Sequence, residues 1–117
     1  MPPRHRVLIL VGLLICCCIL PGCLSFGIAD VRYDGSRLSL RLSNSGEARD
    51  AAIQVSVFRV KDLAQEDVST DFHTVRLASG DHEYTVPLTL PPGSYKLYVY
   101  LIVDNDRKAS VIQDITV

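Results

Sequence analysis

The chain has 117 residues, 12 of them basic and 13 acidic, for a net charge of −1. That balance offers no basic patch of the kind a nucleic-acid partner calls for. The length suits one domain of ordinary size.

The N-terminus reads as a targeting segment. Arg4, His5 and Arg6 form a short positive region, and an apolar run from Val7 to Leu20 follows, interrupted only by Gly12. The run is shorter than the roughly 20 residues of a membrane-spanning helix and fits the apolar region of a signal peptide. Pro21 and Gly22 then end any helix, because proline lacks the amide hydrogen and glycine is too free. Leu20-Pro21-Gly22-Cys23 resembles a lipobox, the signal at which secreted lipoproteins are cut before a lipidated cysteine. Pro21 departs from the small or β-branched residue usual at that place. The resemblance implies cleavage after Gly22, lipid on Cys23, and residence on the outer face of a membrane. Two acyl chains give stable anchoring where one is marginal.

The cysteines agree with this division. Cys16, Cys17 and Cys18 lie in the apolar run, and no cysteine follows Cys23. A disulfide framework or cysteine-based zinc site after Cys23 is therefore excluded. Without Arg4 and Arg6 the remainder holds 10 basic and 13 acidic residues, a mildly acidic balance. The expected organisation is a signal peptide over 1–22, a lipidated cysteine and short tether over 23–27, and one domain over 28–117.

That domain alternates with period two, the mark of strands with one buried face. Ala29, Val31 and Tyr33 open it, and Asp34-Gly35-Ser36 turns the chain. Leu38, Leu40 and Leu42 alternate with Arg37, Ser39, Arg41 and Ser43. After the turn at Asn44-Ser45-Gly46-Glu47, Ala51, Ile53, Val55 and Val57 share one face, and Gln54, Ser56 and Phe58 the other. The pattern breaks at Phe58-Arg59-Val60, which suggests a bulge or a strand end. Lys61 to Asp67 reads as a polar loop or short helical turn, and Val68 to Leu77 as a weaker edge strand. Tyr84, Val86, Leu88 and Leu90 come next, with Pro87 requiring an edge or bulge. Tyr95, Leu97, Val99, Leu101 and Val103 form the longest alternation. Asp104-Asn105-Asp106 turns into a last strand with Val111, Ile115 and Val117 inward. About seven strands with regularly spaced turns indicate an all-β antiparallel β-sandwich, with a small β-barrel as the alternative.

Asn44-Ser45-Gly46, the valine-rich third strand, Leu90-x-Pro92-Gly93-x-Tyr95-x-Leu97-x-Val99 and the acidic turn at Asp104 resemble the CARDB-type group of immunoglobulin-like modules. These are common on archaeal and bacterial cell surfaces, and a lipoprotein signal followed by one such module resembles small archaeal surface lipoproteins. The resemblance implies adhesion, assembly or spacer duty without catalytic residues. It also implies that the Tyr95 hydroxyl bonds backbone at the preceding corner.

Chemistry-bearing motifs are sparse. His73 and His82 fit no local metal motif. Asp104 and Asp106 begin a calcium-loop pattern but lack its glycine and closing glutamate, so a hairpin turn outweighs weak calcium binding. There is no nucleophile elbow, phosphate-binding glycine loop or cysteine nucleophile in the domain, and no cofactor is expected. If the third, sixth and seventh strands share a sheet, then Phe58, Val60, Lys96, Tyr98, Tyr100 and Ile112 are neighbours on its outer side. Such a face suits contact with another envelope protein or with a second copy. It could instead be covered by the Lys61 to Asp67 segment, or by the tether with Leu24 and Phe26. The second functional class is a ligand- or calcium-binding accessory subunit of an envelope transporter or enzyme, which needs a concave polar pocket. A hydrolase ranks last.

Overall fold

The computed structural model describes residues 25–117. The lipobox-like stretch with Cys23, and the apolar run before it, lie outside the described residues. Seven strands follow one another: β1 (Phe26–Tyr33), β2 (Arg37–Asn44), β3 (Arg49–Lys61), β4 (Ala64–Leu77), β5 (Gly80–Pro87), β6 (Ser94–Val103) and β7 (Asp106–Thr116). They make two antiparallel sheets, a three-stranded one in the order β1-β2-β5 and a four-stranded one in the order β4-β3-β6-β7. The protein is thus an immunoglobulin-like β-sandwich rather than a closed barrel, and there is no helix among the described residues.

The core forms where the two inner faces meet. Leu38, Leu40 and Leu42 of β2 are fully buried against Ile53, Val55 and Val57 of β3 and Leu97, Val99 and Leu101 of β6. These are the residues whose alternation marks the strands in the sequence. Burying such side chains contributes about 1.5–3 kcal/mol each. β1 runs beside β7 along one side of the sandwich. β5 is an edge strand, so Pro87 near its end, opposite Arg37, interrupts no ladder on the free side.

The turns are held by side chains. Asp34 Oδ1 accepts from the amides of Ser36 (3.0 Å) and Arg37 (2.7 Å), while Gly35 supplies φ +101°. These backbone N–H bonds, from Ser36 first, hold the Asp34 carboxyl below its ordinary pKa. Asn44 is buried; its Nδ2 donates to the carbonyls of Glu47 (2.8 Å) and Leu77 (3.4 Å), and its Oδ1 accepts from Gly46 (2.9 Å). The Tyr95 hydroxyl donates to the Pro91 carbonyl at 2.7 Å, as the resemblance implies, and accepts from Arg59 Nη2 at 3.3 Å.

Several points differ from the sequence reading. Ala29 is exposed, because a bulge with Asp30 at φ 50° turns Ile28, Val31 and Tyr33 to the core instead. β5 ends at Pro87, so Leu88 and Leu90 are buried outside any strand, and Val117 lies beyond β7 and is exposed. β1 already includes Phe26 and Gly27, assigned above to the tether. Phe26 packs against the core and lies under the Arg49 guanidinium, 5.6 Å from its ring centroid. The segment from Lys61 to Asp67 is neither loop nor helix: Ala64, Gln65, Glu66 and Asp67 pair with Lys61, Val60, Arg59 and Phe58. β3 pairs with β6 only as far as Arg59, so this hairpin overhangs its sheet and is exposed on both sides. With neither side buried, no apolar alternation is selected there. Asp62 and Leu63 turn it at φ 49° and 68°.

Candidate interaction face

β3, β6 and β7 do share a sheet, and register fixes the neighbours on its outer side. Gln54 lies between Phe72 and Tyr100; Ser56 lies between Thr70 and Tyr98; Phe58 lies between Asp67 and Lys96. Beyond them, Tyr98 pairs with Ile112, Tyr100 with Ser110 and Lys96 with Asp114. The break near Phe58 is a bulge, and the extra residue is Val68 on β4. β3 itself continues in phase, so Phe58 and Val60 stay outward and Arg59 turns inward to Tyr95.

The face has a specific relief. Phe58 meets Tyr98 edge to face, with ring centroids 5.2 Å apart. The Arg107 guanidinium lies 4.1 Å from the Tyr100 ring centroid, a cation–π arrangement. Beneath these rings Gln54 and Ser56 are only 8% and 7% exposed, although they point outward. Gln54 Nε2 donates to Ser56 Oγ at 3.2 Å, and Thr70 Oγ1 donates to the same oxygen at 3.2 Å. Gln54, Ser56, Phe58, Tyr98, Tyr100 and Arg107 line a shallow depression of about 200 Å³. Phe72, at 65% exposure, and Ile112, at 59%, flank it on the outer strands. The depression therefore runs along β3 and is walled by β6.

Neither candidate cover lies over this face among the described residues. The hairpin beyond Val60 extends past the sheet, touching the face through Tyr98, whose hydroxyl donates to Gln65 Oε1 at 3.4 Å. Phe26 belongs to β1 in the other sheet. Val60 and Lys96 lie toward the overhanging hairpin, around a separate notch of about 390 Å³, and Lys96 pairs with Asp114 at 3.8 Å.

Four residues of the face are not assigned to it by the sequence reading. Gln54 and Ser56 are visible there as outward residues but not as covered ones. Phe72 falls on the outer side of β4, a position only the pairing with Gln54 defines. Arg107 reaches Tyr100 because Lys108 is an extra residue in β7, which no periodicity announces.

The calcium candidates stand elsewhere. Asp104 and Asp106 are exposed around the β6–β7 turn, and Asp106 pairs with Lys108 at 3.8 Å. Asp104 and Asn105 share a shallow notch with Asp50. Among the described residues no group of three or more His, Cys, Asp or Glu could hold a metal ion. His82 Nε2 hydrogen-bonds the Ser79 carbonyl at 2.8 Å.

The class defined so far is an immunoglobulin-like sandwich with one aromatic outer face. No family model matches the chain, and no curated protein matches it. Among solved structures it is similar to part of a chain named "putative beta-galactosidase" from Bacteroides fragilis, with a TM-score of 0.52 and 18% identity. That alignment covers 80% of this chain but 16% of the other. A β-glucosidase from Kluyveromyces marxianus in complex with glucose aligns at TM-score 0.45 and 13% identity, over 81% of this chain and 14% of that one. At such identity the first of these likenesses concerns the sandwich fold alone.

Proposed function

We propose that this protein is a cell-envelope lipoprotein, held to the outer face of a membrane through lipid on Cys23, whose sandwich acts by protein–protein contact and not by catalysis. The observation that carries the contact role is the outer face of the four-stranded sheet, with Phe58, Tyr98, Tyr100, Phe72 and Ile112 gathered around a shallow depression. Aromatic side chains provide large contact area at low entropic cost and are enriched where proteins meet. Anchoring rests on the order of positive residues, apolar run, small residues and Cys23 in the sequence. Only Leu24 and Ser25 separate Cys23 from β1, and Ser25 is already tied to Ser45 by its amide (2.7 Å) and its carbonyl (3.1 Å). The β2–β3, β4–β5 and β6–β7 turns would therefore lie toward the membrane, and the β3–β4 hairpin away from it.

Two measurements test this reading. Intact mass of the membrane-extracted protein should correspond to loss of residues 1–22 and gain of lipid; a soluble product with its leader attached refutes the anchor. Replacing Tyr98 and Tyr100 together by Ser should weaken association in detergent extracts about tenfold or more, with an unchanged circular-dichroism spectrum. Identical association by both proteins would remove this face from the function.

A further inference from the structure

We infer that the occupant of the aromatic face is a second copy of this chain, packed face to face about a twofold axis that runs parallel to the strands. The inference rests on the anchored reading above, because two copies tied to one bilayer must keep their Ser25 ends on the same side. A twofold axis along the strands does that, and it lays β3 of each copy over β6 of the other and β4 over β7. Aligned sheets pack about 10 Å apart and within about 30° of parallel, so the central rows remain opposed.

Register then sets the contacts. Ser56 comes opposite Tyr98 of the second copy, Gln54 opposite its Tyr100, and Ala52 opposite its Ile102. On the outer strands Thr70 comes opposite Ile112, and Phe72 opposite Ser110. In each of these rows a large side chain meets a smaller one, so the β6 ridge of one copy enters the β3 depression of the other. Phe58 comes opposite Lys96, an aromatic ring against an ammonium. At the rim Asp67 comes opposite Asp114, whose charge Lys96 offsets at 3.8 Å.

The size of the face is also informative. Strand rise of about 3.3 Å and strand spacing of about 4.8 Å give roughly 26 by 20 Å from Ala52 to Val60 across the sheet. That is about 500 Å² per copy and about 1,000 Å² in all, the lower limit for a specific interface. Such a pair is weak in free solution. Confinement to one membrane raises the effective concentration and favours it without any new contact.

The test uses the lipidated protein extracted from the membrane and reconstituted in phosphatidylglycerol vesicles, with energy transfer measured between copies labelled on an added C-terminal tag. Wild type should show transfer that rises and saturates with protein-to-lipid ratio. Ser56→Tyr sets large against large, and Tyr98→Ser leaves the depression unfilled. Each should weaken pairing about tenfold. The combined Ser56→Tyr/Tyr98→Ser exchange again opposes large to small and should return pairing to within about threefold of wild type, a coupling that independent sites do not show. Ser56 and Tyr98 are also neighbours within one sheet, so the exchange conserves the pair inside each copy. If circular dichroism reveals that Ser56→Tyr does not fold, the adjacent row carries the test as Gln54→Tyr with Tyr100→Gln. Transfer no greater than random mixing, or a combined variant no better than the single ones, overturns the inference. A lipidated, membrane-bound monomer that still loses a different partner with Tyr98→Ser/Tyr100→Ser would overturn the pairing but leave the contact role standing.

Discussion

The two outer faces of the sandwich differ in kind. The three-stranded sheet turns Arg37, Ser39, Arg41 and Ser43 of β2 outward, beside Glu83, Thr85 and Pro87 of β5. Its longest polar contact is the Arg41–Asp30 pair at 3.7 Å between exposed groups, of a type that contributes little. The four-stranded sheet turns Phe58, Tyr98, Tyr100 and Phe72 outward, over the buried amide of Gln54. Both sheets bury the same kind of aliphatic side chain inward, so the fold makes no demand that separates their outer sides. On the contact role proposed above, the polar side meets water and the aromatic side meets another protein.

The comparison can be broken most strongly from within. Leu40→Ala and Leu97→Ala remove one fully buried side chain from the inner side of each sheet. Each should lower stability by about 2–5 kcal/mol, measured by urea unfolding of the full chain. A much smaller loss for one of them would mean that its sheet is less fully packed than the other.

The turns sharpen the contrast further. The β1–β2 turn of the polar sheet is well furnished, with Gly35 at φ +101° and two amides bonded to Asp34. The β3–β4 turn of the aromatic sheet has Leu63 at φ 68° and 105% exposed. A bulky residue in the left-handed region costs about 1–2 kcal/mol, and Gly is favoured there. Leu63→Gly should raise the melting temperature by the equivalent of about 1 kcal/mol, less what glycine gains in the unfolded chain. No rise in thermal unfolding would show that the overhanging hairpin relaxes its own strain.

The smallest effect belongs to Asp34. Its folded pKa is lowered by the Ser36 and Arg37 amides, so its contribution is present above the ordinary aspartate range and disappears as pH falls through the lowered value. Asp34→Ala should therefore lower stability near neutral pH, with the difference from wild type vanishing in acid below the lowered value. A difference of the same size at both pH values would assign the effect to turn geometry and not to charge.

Much of the fold was legible because burial on one side leaves a record at every second residue. Leu38, Leu40 and Leu42, the Ile53 to Val57 run and the Tyr95 to Val103 run are all core strands, as their alternation indicates. The Val68 to Leu77 edge strand follows from the same pattern, and the edge position of Pro87 from its missing amide donor. The overhanging hairpin was illegible because neither of its sides is buried, so its polar residues carry no period. Of the candidate face, Phe58, Tyr98, Tyr100 and Ile112 could be named from outward positions alone.

Sequence by itself determined the core strands, most of their inward sides and most of the turns, because each depends on residues near one another in the chain; the inward side of β1 shifts at the Asp30 bulge, which no period announces. Which strands became neighbours was decided only by the tertiary structure, and with it the covering of Gln54 and Ser56 by rings from β6. The same holds for Phe72 beside Gln54 and for Arg107 over Tyr100, which depends on one extra residue at Lys108. Period two reports which side of a strand is wet; it contains no information about which other strand lies 4.8 Å away, roughly the spacing across which this face is built.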